Sequence, residues 1–569
     1  MGAWTNLGKQ TVEDARRRKG QMDGNTAIAN ILKMEGTEYL FCFPANTLIE
    51  AAAVAGIKPI MSRTERTTVN MADGYTRMTN GHRTGVLVTQ SGPGIENAFA
   101  GIAHAYAEST PILAIPGGTA SGRLGQPPDF DAMSAYRGVT KWVTQINQAE
   151  RIPEMMRRAY TFLRSGRGCP VMVQVPGDVA TADIDEAAFD YRPVKGYKSS
   201  GDPSDVADAV KALLAAKSPI IYAGQGILWA EASEELREFA ELVNVPVMTT
   251  NTGKSAFPEN HALSLGTGAG TMTKMARQFL DNADLVFGIG CSFTTNLASV
   301  GIPKGKVLVQ CTVDEKDLNK EEQLHHAIIG DARLVLQQLT EEVRMQVGAA
   351  GRRGNGTVEA EVKRVKDEWL AEWMPLLTSD EVPINPYRII WDLMHTVDRT
   401  QTVVTHDSGH PRDQTIPFYE SIVPRGYLGW GNSSQLGYGL GLALGAKLGA
   451  PEKMVVNIMG DAAIGMSGMD IETGVRHQIP ILTIVLNNHV LSGYSRNYPV
   501  ATDSFAFTNL YGDYASLAQS LGAHGERVVD PGEIIPAIGR AKQAMDTGQP
   551  ALIEFMTKEE NNLSRFPPR

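Results

Sequence analysis

Cysteine is scarce in this sequence of 569 residues. The four cysteines include no Cys-x-x-Cys pair, and four thiols are too few to staple so long a chain, a pattern typical of a reducing setting. Continuous apolar runs of 18 residues are also missing from the sequence, which argues against a membrane-spanning helix. We therefore expect a cytoplasmic protein that is stabilised by buried apolar cores rather than by disulfides or a bilayer.

An excess of basic residues is missing as well. Lys and Arg number 53 against 63 Asp and Glu, so the net charge is −10, and a general nucleic-acid binder would need a basic surface. The basic run at residues 16–19 precedes no apolar signal core, and we interpret it as a solvated helix face. Hydrophobic residues make up 43 %, and the length predicts about three to five domains.

Short apolar runs alternate with amphipathic stretches along the chain. In residues 234–243, for example, the apolar positions 236, 239, 240 and 243 share one helical face. The apolar runs predict buried strands at 40–43, 86–89, 112–115, 171–175, 220–222, 285–288, 307–309, 403–404, 454–458, 481–486 and 551–555. This alternation predicts an α/β protein with mostly parallel sheets flanked by helices.

Two segments are predicted to be linkers. Residues 186–202 are polar, residues 348–356 are rich in glycine, and neither segment has helical or strand periodicity. They divide the chain into three predicted α/β domains, at 20–188, 200–347 and 375–569.

Polar side chains follow two of the predicted strands in the third domain. Asp461 comes after the run 454–458, and Asn488 comes after the run 481–486. The carboxyl ends of parallel strands form the ligand-binding edge of an open sheet. Carboxylate and amide oxygens suit Mg²⁺, although a turn and a strand cap would also explain each residue singly. A helix predicted to start just after Ala463, roughly over 467–477, would direct its N–H groups towards an anion.

The segment from Gly460 to Asn488 resembles the metal and diphosphate signature of thiamine-diphosphate-dependent enzymes, Gly-Asp-Gly followed by Asn-Asn. The resemblance covers nearly the whole chain and is closest to the acetolactate synthase-like branch, which includes the 2-hydroxyacyl-CoA lyases. It implies that Mg²⁺ is bound by Asp461, Asn488 and the main-chain carbonyl of Val490. Ala462 occupies the position of the third family glycine.

A second motif supports the same family. The segment Arg63-Thr64-Glu65-Arg66, followed by Ala-Asp-Gly-Tyr at residues 72–75, resembles the family's catalytic-glutamate segment. The resemblance assigns to Glu65 the proton shared with ring nitrogen N1′ of the coenzyme, which lets the 4′-amino group take the proton from C2. An ion pair of Glu65 with a neighbouring arginine is the alternative interpretation of these residues alone.

Further loops resemble parts of the family that contact the coenzyme. They are the Ser-Gly-Pro-Gly turn at 91–94, the segment 406–410, and the stretch 431–439, where Leu436 takes the place of the apolar side chain that bends the coenzyme. The residues that the resemblance places against the coenzyme are Gly92, Pro93, Ser408, Gly409, His410, Ser434, Leu436, Gly460, Asp461, Ala462, Ala463, Asn488 and Val490.

The residues expected to face the substrate depart more from the family. Asn46 replaces a family glycine with a polar amide, and Phe130 resembles a substrate-facing phenylalanine of acetolactate synthases. Tyr494 and Ser492, after the Asn-Asn pair, are candidates for proton handling, and a tyrosine that only packs a loop is an equal alternative. Together with Glu65, these residues apart from Phe130 form the predicted catalytic set.

The central domain has only a weak nucleotide signal. Gly224-Gln225-Gly226 follows a predicted strand, but Trp229 stands where a dinucleotide fingerprint requires a third glycine. In the family this domain binds FAD, the ADP part of CoA, or nothing, and the flavin-associated arginine is missing near Cys291. FAD, ADP/CoA and an empty domain all stay open.

The resemblance implies a lyase or carboligase that uses thiamine diphosphate and Mg²⁺ and acts on a 2-oxo acid. A 2-hydroxyacyl-CoA lyase or oxalyl-CoA decarboxylase acting on a CoA thioester is the alternative, and a non-catalytic cofactor-binding subunit is a minor one. A homodimer or homotetramer with sites between subunits is expected, with no nucleic acid or membrane partner. The tail at 557–569 is interpreted either as a lid or as a disordered terminus.

Overall fold

The computed structural model describes residues 22–296, 299–352, 354 and 356–566, and these residues form two compact units that divide between Tyr197 and Lys198. The basic run at 16–19 and the last three residues of the tail lie outside the described residues. None of the described helices is both long and apolar enough to cross a membrane.

The first unit is built on one parallel six-stranded sheet. In spatial order its strands are Lys58–Met61, Tyr39–Cys42, Val86–Thr89, Leu113–Gly118, Val171–Pro176 and Trp142–Gln145. Its helices are Gly24–Met34, Leu48–Val54, Glu65–Met78, Pro93–Ala107, Ala132–Tyr136, Ile152–Arg164 and Gly177–Ala180. A short antiparallel pair joins Met22–Asp23 to Asp183–Ile184. Apolar residues of the central strands and of the covering helices form the core, including Ile28, Leu40, Val86, Leu113 and Tyr160.

The second unit contains two parallel six-stranded sheets. The central sheet has the order Ser264–Thr267, Val247–Thr249, Pro219–Ala223, Leu285–Ile289, Val307–Thr312 and His326–Ile329. The C-terminal sheet has the order Tyr427–Leu428, Thr402–His406, Met454–Gly460, Leu482–Asn487, Ala551–Met556 and His524–Val528. The helices are Pro203–Ala215, Gly226–Trp229, Ser233–Val243, Lys274–Asn282, Ala332–Val347, Thr357–Leu377, Pro386–Thr396, His410–Phe418, Gly439–Gly449, Asp461–Ser467, Ile471–His477, Pro499–Phe505, Tyr514–Ser520 and Ile534–Asp546.

The helix Thr357–Leu377 connects the two sheets of the second unit. Trp369 and Trp373 of this helix lie 4.9 and 4.8 Å from the ring of Phe418. The same buried apolar cluster includes residues of both sheets. The described residues of the glycine-rich segment 348–356 lie between the helices Ala332–Val347 and Thr357–Leu377, and residues 353 and 355 of that predicted linker lie outside the described residues.

The structure confirms the predicted fold class and overlaps each of the predicted strands. The predicted helix at 234–243 falls within Ser233–Val243. The prediction that a helix starts after Ala463 is wrong, because the strand Met454–Gly460 runs directly into a helix that begins at Asp461. The stretch predicted as one helix at 467–477 is instead divided by a 3₁₀ turn at Gly468–Asp470.

Candidate functional site

Asp461 lies at the carboxyl edge of the C-terminal sheet. It is the first residue of its helix and is only 5 % exposed. Its Oδ1 accepts a hydrogen bond of 2.8 Å from the amide of Ala462, whereas its Oδ2 is buried without a hydrogen-bond partner among the described residues. Burial raises the pKa of Asp461, and the amides of Ala462 and His489 oppose that rise. A buried oxygen without a partner is costly, and a bound cation would satisfy it.

Asn488 stands at the end of the neighbouring strand. The register pairs Gly460 with Leu486, so the two strands end side by side. The side chain of Asn488 is oriented at both ends, because its Oδ1 accepts the amide of Val490 at 3.1 Å and its Nδ2 donates to the Ser492 hydroxyl at 2.7 Å. An amide oxygen has a second lone pair for a ligand. Asp461 and Asn488 thus stand at the ends of neighbouring strands, and carboxylate and amide oxygens suit a hard cation such as Mg²⁺. The metal role of these two residues and of the Val490 carbonyl stays a prediction.

A buried glutamate that the sequence analysis missed supports this strand end. Glu554 is fully buried and accepts hydrogen bonds from Asn487 Nδ2 at 2.7 Å and from the Ala515 amide at 3.1 Å. Arg527 Nε lies 3.0 Å from the same carboxylate. The signal that could have revealed it is a lone Glu within the apolar strand Ala551–Met556.

The loop after strand Thr402–His406 meets the segment that contains Leu436. The Ser408 hydroxyl bonds the Ser434 hydroxyl and carbonyl, and Arg412 Nη1 donates to the Ser434 hydroxyl at 2.7 Å. Asp407, which the sequence analysis did not assign, is fully buried. Its carboxylate accepts the amides of Ser408, Gly437 and Gly439, at 2.8, 2.9 and 2.8 Å respectively.

This segment also borders the helix of Asp461. A Cβ on Gly437 would lie 3.4 Å from the carbonyl oxygen of Ala463. Leu436 itself is half-buried. The structure thus brings the predicted coenzyme residues of the C-terminal domain to one edge of one sheet.

The loop after Asn488 is contacted by the C-terminal tail. The amide of Gly493 donates to Glu559 at 2.9 Å, and the ring of His410 lies beside Gly493. Burial lowers the pKa of His410. Tyr494 is 50 % exposed and stacks on Tyr498 at 6.4 Å between ring centroids. The catalytic roles assigned to Tyr494 and Ser492 stay predictions.

In the first unit, Glu65 lies beneath the turn at 90–94. It begins the helix Glu65–Met78 and is 7 % exposed. Asn97 Nδ2 donates to Glu65 Oε2 at 3.4 Å, and a Cβ on Gly94 would lie 3.4 Å from Oε1. Gly92 has a φ of 65° just before Pro93, the first residue of the following helix. The glutamate and the Ser-Gly-Pro-Gly turn are therefore neighbours.

A cavity of about 1010 Å³ is lined in part by this turn. Its lining includes Gly92, Pro93 and Phe130, so the residue compared with a substrate-facing phenylalanine lines the same space as the turn. Asn46 Nδ2 donates to the Thr89 carbonyl at 3.0 Å. That contact fixes the Asn46 amide to the backbone, and its catalytic role stays a prediction.

The glycines of the Gly224-Gln225-Gly226 motif allow two loops of the central domain to pack closely together. A Cβ on Gly224 would overlap the carbonyl oxygen of Gly290, and the amide of Gly226 donates to the same oxygen at 2.9 Å. Two loops that approach so closely need glycine whether or not a nucleotide is present. The choice among FAD, ADP/CoA and no nucleotide therefore stays a prediction.

Comparison with known families agrees with this architecture. The family model "Thiamine pyrophosphate enzyme, N-terminal TPP binding domain" matches residues 22–148, the central-domain model matches 206–339, and the C-terminal TPP-binding-domain model matches 407–555. The chain belongs to the thiamine pyrophosphate enzymes, which confirms the resemblance drawn from the motifs.

Relatives of known name cover nearly the full chain. The chain is 30 % identical to the glyoxylate carboligase of Escherichia coli O157:H7, over 95 % of this chain and 93 % of that protein. It is 28 % identical to a probable acetolactate synthase large subunit of Methanococcus aeolicus, over 96 % and 94 %. It is 29 % identical to the acetolactate synthase large subunit of Haemophilus influenzae, over 90 % and 91 %. The chain is thus a thiamine-diphosphate-dependent enzyme.

Proposed function

We propose that this enzyme is a carboligase that joins the acyl group of a 2-oxo acid to a second carbonyl compound and releases CO₂. The observation that carries the proposal is the buried Oδ2 of Asp461, which has no hydrogen-bond partner among the described residues and stands at the strand end next to that of Asn488. Both residues lie within the region similar to a C-terminal TPP binding domain. The names of the relatives, acetolactate synthase and glyoxylate carboligase, support carbon–carbon ligation.

We assign the metal to three oxygens, from the side chains of Asp461 and Asn488 and the carbonyl of Val490. Bound thiamine diphosphate supplies a carbon nucleophile and an electron sink for the acyl group. Glu65, buried beneath the turn at 90–94, holds a proton at the coenzyme ring nitrogen N1′. Leu436 provides the apolar side chain against which the coenzyme bends. Overall, R–CO–COO⁻, R′–CHO and one proton give R–CO–CH(OH)–R′ and CO₂.

The cavity beside the turn suggests which acceptor the enzyme takes. Its lining has the carboxylates of Glu96, Asp129 and Asp131 and the amides of Gln145 and Gln174. None of these or of the other described lining residues is cationic. The carboxylate of a 2-oxo acid acceptor would find no cationic partner among the lining residues of this chain and would face like charges. We therefore propose that the acceptor is an uncharged aldehyde.

Glycolaldehyde and glyoxylate form a matched pair of acceptors, because they differ only by a hydroxymethyl group in place of a carboxylate. With pyruvate as donor, we expect kcat/KM for glycolaldehyde to exceed that for glyoxylate by about tenfold. The measurement is product formation by chromatography, with CO₂ release recorded in parallel.

The substitution Gln145→Lys should lower the ratio of kcat/KM for glycolaldehyde to kcat/KM for glyoxylate, because it adds a cation to the cavity lining. Gln145→Met adds no charge and should leave that ratio unchanged. An equal or reversed preference in the native enzyme would overturn the acceptor assignment alone. Turnover of a 2-hydroxyacyl-CoA thioester, without CO₂ release from any 2-oxo acid, would overturn the carboligase proposal itself.

We also propose that the sites are shared between subunits of a homo-oligomer, with Glu65 from one subunit and Asp461 from its partner. Mixing Glu65→Gln chains with Asp461→Ala chains then gives mixed dimers with one complete site. Random mixing should restore about a quarter of native activity, since half of the dimers are mixed. Mixed dimers that mass spectrometry confirms but that have no activity would contradict the arrangement.

A further inference from the structure

A buried ion pair fixes one loop of the central domain. The side chain of Lys254 is 1 % exposed, and its Nζ lies 2.6 Å from both carboxylate oxygens of Glu259. Glu259 also accepts the Ser421 amide at 2.7 Å, and its own amide donates to the Ser421 carbonyl at 3.0 Å. Buried charges are tolerated only where they are fully paired. The loop at 250–259 therefore has a defined position against the C-terminal domain.

The loop at 250–259 also contacts residues 427–430, which directly precede the predicted coenzyme loop 431–437. Asn251, 5 % exposed, donates from Nδ2 to the Trp430 carbonyl at 2.8 Å. The Ser255 hydroxyl donates to the Tyr427 carbonyl at 3.2 Å. A Cβ on Gly429 would overlap the carbonyl oxygen of Asn251, so the two backbones are in direct contact there.

Trp430 links the loop at 250–259 to the sheet edge that holds the predicted coenzyme residues. It is fully buried, its Nε1 donates to the His406 carbonyl at 3.0 Å, and the two rings stack at 4.9 Å. The next residue, Asp407, accepts the amides of Gly437 and Gly439. The segment with Leu436 is thus held by Trp430 at one end and by Asp407 at the other.

We propose that Asn251 is a positioning residue, which sets the place of the coenzyme loop 431–437 from the central domain. This inference rests on the proposed contact of Leu436 with the coenzyme. Without the Asn251 side-chain donor, the Trp430 carbonyl loses a buried partner, and the loop behind it gains freedom. Part of the free energy of coenzyme binding is then used to order that loop, so the coenzyme binds more weakly.

The test is the affinity of the enzyme for thiamine diphosphate at saturating Mg²⁺, measured by calorimetry, together with the melting temperature without coenzyme. Asn251→Asp keeps the shape of the side chain but removes the donor, and we expect about tenfold weaker coenzyme binding. Ser255→Ala should weaken binding in the same direction by a smaller factor. Thr252→Ala is the matched control, since the hydroxyl of Thr252 bonds Thr250 within the loop, and it should leave affinity unchanged.

A lower melting temperature with native coenzyme affinity in Asn251→Asp would overturn the proposal, because it would show a purely structural role. If Asn251→Asp does not fold, Ser255→Ala alone decides, and native affinity in that variant counts against the proposal. Failure of the native protein to bind the coenzyme would instead refute the proposed function, so the two failures are distinguishable.

Discussion

Asp461→Ala should lose Mg²⁺-dependent binding of thiamine diphosphate by more than about 100-fold, because it removes the one carboxylate of the proposed metal site. The stability of the coenzyme-free protein should change little or rise. In that state Asp461 has a buried oxygen with no hydrogen-bond partner in the part of the chain that the structure describes, and burial raises the pKa of this carboxyl, so the native carboxylate costs free energy. This pairing of lost binding with retained stability separates a metal ligand from a structural residue.

Calorimetric titration and thermal melting test this prediction together. Adding Mg²⁺ and coenzyme should raise the melting temperature of the native protein and not that of Asp461→Ala. The control is Asp470→Asn, in which a buried carboxylate that bonds Thr473 at 2.9 Å is neutralised. That variant should lose about 1 kcal/mol of stability and keep its coenzyme affinity. Unchanged affinity in Asp461→Ala would contradict the metal assignment.

Glu65→Gln should lower kcat by about 10²- to 10⁴-fold while coenzyme affinity stays within about threefold. The amide keeps the size of the side chain, and its oxygen can still accept from Asn97, which donates to Glu65 at 3.4 Å. It cannot hold an exchangeable acidic proton at the coenzyme ring nitrogen. The substitution therefore removes proton transfer at the coenzyme ring and leaves binding of the coenzyme intact.

Exchange of the coenzyme C2 proton for deuterium, followed by NMR, reports this role without any substrate. Exchange should slow in Glu65→Gln by a factor similar to that in kcat. Glu50→Gln, an exposed glutamate of the same unit, should exchange at the native rate. Native exchange and turnover in Glu65→Gln would refute the role assigned to this residue and would favour a purely structural glutamate.

Most strands that the sequence analysis missed lie at sheet edges. Lys58–Met61, Trp142–Gln145, His326–Ile329 and His524–Val528 are edge strands with exposed or half-buried residues. Central strands are covered on both faces and have apolar runs, whereas edge strands are partly solvated and have mixed sequences. The interior strand Val247–Thr249 was missed for another reason, since its short apolar run directly follows Pro246 and ends in polar threonines.

Local sequence was enough to predict the parallel α/β class, which the structure confirms. It also singled out Asp461 and Asn488, because polar residues directly after buried parallel strands lie at the ligand-binding edge of a sheet. The roles of these residues and of Glu65 in the chemistry are implied by the family resemblance and stay predictions. The start of the helix at Asp461 was mistaken by three residues, because strand and helix propensities overlap where no loop separates them.

Only the tertiary structure revealed the residues that hold the site in place. Asp407 bonds amides 30 and 32 positions away, and Glu554 bonds Asn487 at a separation of 67. Asn251 meets Trp430 across 179 positions. Such partners are brought together by the packing of distant elements, and a single polar residue in an apolar run does not show which atoms will satisfy it. The sequence by itself therefore determined which groups could do the chemistry, and the packed structure decided what orients them, because orientation depends on neighbours in space.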